Sequence, residues 1–234
     1  MDSITNISLS HLALSLMPIA IILVIQYRWA LNVKETIWAV LRMLGQLALI
    51  GYFLVFIFTT ENPFIIGGVV CVMIGASSWI ALRTVPERRA VLLPLALLSI
   101  SLGGTCILAL ITQGVLNLDP WYRPQYMVPL AGMIYAYCMN AVSLGVDRYF
   151  HELSEGTAAR TAQTSAYRAA LIPATNSFFA VGLVLIPGMM TGQILSGVDP
   201  LIAARYQIMV MAMVFSAGGL SSAIFLTFVA KRPY

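Results

Sequence analysis

Charge is scarce in this chain: only 9% of its 234 residues are Asp, Glu, Lys or Arg, against about 25% in an ordinary soluble domain. Histidine is scarcer still, with His11 and His151 far apart, and the three cysteines, Cys71, Cys106 and Cys138, show no C-x-x-C spacing. Each shortage excludes something. A water-soluble fold could not hide a composition that is 60% hydrophobic with a mean hydropathy of +0.89. Two distant histidines supply neither the H-E-x-x-H of a membrane metalloprotease nor an intramembrane Ser/His pair. No G-x-x-x-x-G-K-[ST] string is present to cradle a nucleotide phosphate, so any ATP hydrolysis belongs to another chain, and the expectation is a non-enzyme. An odd set of unspaced cysteines reads as apolar filler.

Acidic groups are also missing from the apolar stretches. Asp2, Glu35, Glu61, Glu87, Asp119, Asp147, Glu152, Glu155 and Asp199 all fall in loops or termini. An ion-coupled carrier usually needs a carboxylate within the bilayer to bind and release its ion, so a self-sufficient pump or antiporter is disfavoured.

What remains is apolar sequence in long runs, at about 8–27, 36–58, 63–82, 91–114, 126–146, 174–196 and 206–230. A helix needs about 20 residues to cross a hydrocarbon layer of about 30 Å. Transmembrane strands would be about half as long and would alternate with a polar face. The expected fold is therefore all-α, a polytopic integral membrane protein of about seven transmembrane helices forming a single transmembrane domain. The first run has no basic segment before it and no cleavage-like site after it, so it is expected to be retained as a helix.

With seven spans, the segments 28–35, 83–90 and 147–173 share one side with the C-terminal tail. They hold Arg28, Lys34, Arg83, Arg88, Arg89, Arg148, Arg160, Arg168, Lys231 and Arg232, ten of the 13 basic residues. Arg123 and Arg205 lie on the other side. The positive-inside rule then places the N-terminus outside and the C-terminus in the cytoplasm, as expected for a cell inner (plasma) membrane protein embedded in the lipid bilayer. The net charge of +4 follows from this topology and requires no nucleic acid. Trp29, Trp38, Trp79, Trp121 and Tyr122 sit near span ends, where amphipathic rings anchor at the headgroups.

Three features could carry mechanism. Arg42, with Gln46 one turn further along the same face, is the one charge inside a predicted span. It either snorkels to the interface or serves the pathway between helices. The segment 147–173 is the longest polar stretch, and a short cytoplasmic helix there could dock into a soluble partner, or the segment could be a solvated connector. The string PGMMTGQILSG at 187–197 places Pro187, Gly188, Met189, Met190, Thr191, Gly192 and Gln193 within the sixth span. Pro and Gly break regular helix, and freed backbone groups at that depth must be buried in protein or line a cavity. Close helix packing through glycine is the competing explanation. Met133 and Met139 in the fifth span add two thioethers, but methionines scattered in sequence without His, Cys or carboxylate at ligand spacing read as packing, and no metal site is assigned.

The string ALIPATNSFFAVGLVLIPGMMTGQILSGVDPLIAARYQIMV, residues 170–210, resembles the signature of the FetB-type permeases, which include bacterial iron exporters and plant aluminium-tolerance half-transporters. The resemblance runs through P-G-x-M-x-G at Pro187, Gly188, Met190 and Gly192 to the pair Tyr206–Gln207. It extends to R-x-x-x-Q-L-x-x-x-G at Arg42, Gln46, Leu47 and Gly51, and to P-x-x-G-M at Pro129, Gly132 and Met133. The chain departs from the pattern in holding Ala136 and Tyr137 where the family reads Gly-Asn, and in a shorter segment before Ala170.

The resemblance implies the permease subunit of an ABC transporter, acting as a homodimer with a separate cytoplasmic ATP-binding subunit and exporting iron or another metal. It implies no cofactor on this chain and ATP on the partner subunit. Gln207 joins the pathway candidates, and the coupling segment would present His151, Glu152, Leu153, Glu155, Gly156, Arg160 and Arg168. The alternatives are a membrane receptor or assembly subunit that transports nothing, and an energy-independent facilitator.

Overall fold

A computed structural model describes residues 8–60 and 62–231. Asp2, Glu61 and Arg232, counted above among the loop and tail charges, lie outside the described residues. The chain forms two compact units, residues 1–59 and 60–234.

The first unit is a pair of helices, α1 (Leu9–Arg28) and α2 (Val33–Thr59). Ser8 caps α1 by accepting from the His11 backbone N–H, and the Asn32 side chain accepts from the N–H of Glu35 at the start of α2. Side-chain oxygens satisfy backbone donors that the first helical turn leaves without partners.

The second unit holds α3 (Pro63–Ala81), α4 (Arg89–Ala109), α5 (Pro124–Ser154), α6 (Ala159–Ala180), α7 (Gly188–Leu195) and α8 (Pro200–Val229). A 3₁₀ turn at Pro86–Arg88 leads into α4, which runs on as a π-helical segment, Leu110–Val115. Two helices open with the same device. Asn62 precedes Pro63 and accepts from Phe64 N–H, while Asp199 precedes Pro200 and accepts from Leu201 and Ile202 N–H. Proline suits the first helical position because its missing N–H would have no partner there.

The core of this unit lies where α5 and α8 meet α4 and α6. Small residues let the backbones approach, as packing between membrane helices requires. A β-carbon on Gly218 of α8 would lie 3.3 Å from both the Ala141 side chain and the Tyr137 carbonyl of α5. Ala162, Ala166 and Ala170, one turn apart on α6, are buried, and Ala170 meets α5 at Gly145. Two buried hydroxyls are absorbed within their own helices, Ser99 donating to the Leu95 carbonyl and Thr112 to that of Leu108.

Among the described residues, six helices are long and apolar enough to span a bilayer: α1, α2, α3, α4 with its π extension, α5 and α8. They match six of the seven expected runs, so the chain is a polytopic all-α membrane protein. The expected run 174–196 is divided. α6 ends at Ala180, an irregular turn follows, and α7 has eight residues.

The helix expected within 147–173 is not an element of its own. α5 continues to Ser154, and α6 starts at Ala159, so the segment is the tip of a helical hairpin. The apolar run ended at 146, but Arg148, Glu152, Leu153 and Glu155 beyond it favour helix, and no Pro or Gly interrupts it before Gly156.

Candidate functional site

The divided run is a discontinuous helix. Gly182 has φ +83°, a left-handed conformation open to glycine and costly to other residues. The turn then closes on itself: the Ala180 carbonyl accepts from the N–H groups of Leu183, Val184 and Leu185, and Gly182 N–H donates to the Leu185 carbonyl. Pro187, which has no N–H, caps α7. The expected break at Pro187, Gly188 and Gly192 is thus displaced toward the N-terminus. The irregular backbone is 181–187, and Gly188 and Gly192 sit in regular helix. β-Carbons at those two glycines would meet nothing within 4 Å, so close packing within this chain does not explain them.

Cavity neighbours give the depth of the break. Met133 and Tyr137 of α5 line one cavity together with Ser177, Leu185, Pro187 and Met189. The turn is therefore level with the middle of the apolar run 126–146 of α5. α6 approaches it from the hairpin end of the unit, and α7 continues toward the opposite end, where Gln193 shares a cavity with Gln125 and Pro129.

Three cavities surround the break. One of about 630 Å³ lies between the end of α6, the turn, α7 and α8, with Phe178, Pro187, Met190, Gln207 and Met211 in its wall. A second, of about 460 Å³, lies between α5, α7 and α8, with Met133, Met189, Gln193, Tyr206 and Met209. A third, of about 200 Å³, shares Met133 and Met189 with the second and Pro187, Gln207 and Met211 with the first. The walls are apolar with a few polar groups, the usual character of a ligand site. Two of those groups lack partners: Oε1 of Gln193 and Oε1 of Gln207 are buried with no hydrogen bond. An amide oxygen left without a donor costs about 1–3 kcal/mol, so both are poised to accept one from a ligand.

The fold thus brings together Met133, Pro187, Met189, Met190, Gln193 and Gln207. Gly188, Thr191 and Gly192 belong to α7 itself, where the Thr191 hydroxyl donates to the Pro187 carbonyl. Met139 lines none of the three cavities. Arg42 and Gln46 are exposed on α2, in the first unit. Met209, Met211 and Tyr126 also face the cavities, and no sequence motif marked them as part of the site.

The hairpin tip collects the other candidates. His151, Glu152 and Leu153 end α5, Glu155 and Gly156 form the turn, and Arg160 opens α6, with Arg168 further along it. Gly156, at φ +80°, donates to the Leu153 carbonyl while Thr157 N–H donates to that of Glu152. This is the paired bonding of a Schellman cap. The Glu152 carboxylate accepts from the Thr157 hydroxyl at 2.9 Å and pairs with Arg148. The Arg88 guanidinium lies 4.3 Å from the Phe150 ring centre, fastening the end of α5 to the 3₁₀ turn. His151, Glu155, Arg160 and Arg168 are exposed.

A family model described as "Uncharacterised protein family (UPF0014)" matches residues 9–234. The chain is 34% identical over 240 residues to an Escherichia coli protein named "Probable iron export permease protein FetB", covering 94% of this chain and 89% of that one. It is 33% identical over 232 residues to the "UPF0014 membrane protein slr1647" of Synechocystis, covering 92% and 88%. It is 31% identical over 229 residues to the "Protein ALUMINUM SENSITIVE 3" of Arabidopsis thaliana, covering 90% and 81%. No solved structure matches.

Proposed function

This chain belongs to the UPF0014 family, and from that membership we propose that it is the membrane-spanning permease subunit of an ABC transporter, exporting iron or another metal. The observation that carries the proposal is the discontinuous helix. Membrane transporters place substrate sites where half-helices end near the bilayer midplane, because backbone freed from a helix is tolerated there only around a cavity. The Escherichia coli relative, named as an iron export permease, supplies the class of cargo.

The orientation is cytoplasmic at the hairpin tip and the C-terminus, with the N-terminus outside, in the inner membrane. In the second unit Arg83, Arg88, Arg89, Arg148, Arg160, Arg168 and Lys231 lie at the hairpin end, against Arg123 and Arg205 at the other, which supports this by the positive-inside rule. The tip of the α5–α6 hairpin is the docking point for a cytoplasmic ATP-binding subunit, which holds and hydrolyses ATP. Two permease copies complete the pathway, in keeping with the two-fold symmetry common among oligomers.

The route of coupling is α6. Its 22 residues, about 33 Å at about 1.5 Å each, run unbroken from the docking turn to the break. Pro173 within it removes one backbone rung, and Ser177 reuses the Pro173 carbonyl through its hydroxyl. Closure of the ATPase would displace the tip, α6 would carry the displacement to the 181–187 turn, and the cavities would open to one side or the other. ATP drives this only if its binding favours one of the two states.

The test is co-expression of the chain with a candidate ATP-binding subunit, followed by reconstitution in vesicles. Co-purification, and ATP-dependent movement of Fe(II) or of another ion in a panel that includes Ag(I), out of the compartment holding ATP, are expected. Failure of any ATP-binding subunit to co-purify, with no ATP-dependent flux, overturns the proposal.

A further inference from the structure

Methionines that are scattered in the sequence converge in the fold. Met133 on α5, Met189 on α7 and Met209 on α8 line one cavity, and Met133 and Met189 line the adjoining one together with Met211 of α8. Met133, Met189 and Met209 thus come together from three elements, and Met211, two residues beyond Met209 on α8, turns to the neighbouring cavity. Around them the polar groups are uncharged: the amides of Gln125, Gln193 and Gln207, the tyrosines and Ser177. The walls of the three cavities contain no Asp, Glu, His or Cys, and the buried, unpartnered oxygens facing them are the amides of Gln193 and Gln207.

We propose that the thioethers of Met133, Met189 and Met209 form a soft-donor cargo site for a monovalent d¹⁰ cation such as Cu(I) or Ag(I). This deepens the permease reading above and rests on it for the word cargo. Thioether sulfur is polarizable and uncharged, and it selects soft cations, whereas divalent iron and manganese draw their affinity from imidazole and carboxylate, which these walls lack. A single positive charge also suits the surroundings. No carboxylate is present to neutralise a dication, and the cost of desolvating an ion rises steeply with its charge. The two amide oxygens, already desolvated, can accept from waters the ion retains or turn a partial negative charge toward it. Methionines repeat through the chain of cavities, since Met211 also borders the largest one beside Met190. An ion leaving the first group of thioethers therefore meets a second. The flexibility of methionine, with three rotatable bonds, allows ligands to be exchanged one at a time.

The competing explanation is that methionine merely fills irregular space around a broken helix. Leucine in place of methionine keeps volume and apolarity and removes the sulfur, so it separates the two. The full-length chain in lipid nanodiscs would be titrated with Ag(I), and anaerobically with Cu(I), against a competing chelator, and in parallel with Fe(II) and Mn(II). Expected are one tight Ag(I) or Cu(I) per chain, at least tenfold weaker binding in M133L/M189L, and no such dependence for Fe(II) or Mn(II). Both proteins carry C71S, C106S and C138A, because the free thiols would otherwise bind Ag(I) and Cu(I) more tightly than thioethers, so the difference reads the thioethers alone. X-ray absorption of the copper-loaded chain should show sulfur neighbours that the double variant loses.

M209L provides a second variant should the pair fail to fold, and a melting curve monitors that. Equal Ag(I) affinity in the parent and in folded M133L/M189L, or in folded M209L where the pair does not fold, overturns the proposal. Stimulation of a co-reconstituted ATP-binding subunit is read separately. Stimulation without a methionine-dependent site sinks the site and leaves the permease. A methionine-dependent site without stimulation by any ATP-binding subunit sinks the permease and leaves the site.

Discussion

Gly103 of α4 faces Ser221 of α8 so closely that a β-carbon at position 103 would lie 2.8 Å from the Ser221 backbone nitrogen. That atom cannot rotate away as a side chain could, so the whole helix contact would have to open. G103A is expected to destabilise the chain by about 1–3 kcal/mol, the usual cost of overpacking. G132A is the control, because a β-carbon there meets nothing within 4 Å. Thermal unfolding in detergent should show a clear drop for the first and none for the second.

Most of the fold was legible because membrane spans are written as length and apolarity. Helix starts were less so: α8 begins at Pro200 behind the cap Asp199, six residues before the apolar run expected at 206. The break was legible in kind, since Pro187 pointed to it. Its place was not, because the need for φ +83° at Gly182 arises from the turn's own hydrogen bonds and leaves no periodic trace. The site was legible only in part. Met133 and Met189 are more than fifty residues apart in sequence, and only the return of α7 along α5 makes them neighbours. Arg42 and Gln46 stood out by their polarity, but they belong to the first unit, and the geometry of the cavities rests on the second.

Gly156 closes α5 in a left-handed conformation, and a β-carbon there would find open space. G156A therefore tests backbone strain without steric clash, at an expected cost of about 1–2 kcal/mol. If the hairpin tip is the docking point, G156A should weaken co-purification of the ATP-binding subunit more than it lowers the melting temperature. T157A, which removes the hydroxyl donated to Glu152, should act in the same direction and more weakly.

Gln207 is 7% exposed, and its Oε1 has no hydrogen bond. Removing an unsatisfied buried polar group in favour of an apolar one of similar size is neutral or stabilising. Q207L is thus expected to melt at or above the parent temperature while transport falls by tenfold or more. Parallel melting and vesicle-flux measurements decide this, and transport at the parental rate would remove Gln207 from the pathway.

Gly182 offers the sharpest test of the break itself. A β-carbon added there would meet nothing within 4 Å, so any effect of substitution reports the left-handed backbone alone. Alanine should cost about 1–2 kcal/mol in that conformation. Asparagine tolerates it better than other side chains because its short amide bonds locally. G182A is therefore expected to lose transport and G182N to regain part of it, although asparagine is the larger and more polar residue. An ordinary packing position would give the reverse order. The ranking of the two variants in ATP-dependent flux, normalised to folded protein, separates a required turn from a tolerated irregularity. Equal flux in G182A and the parent would show that the 181–187 conformation is dispensable for transport.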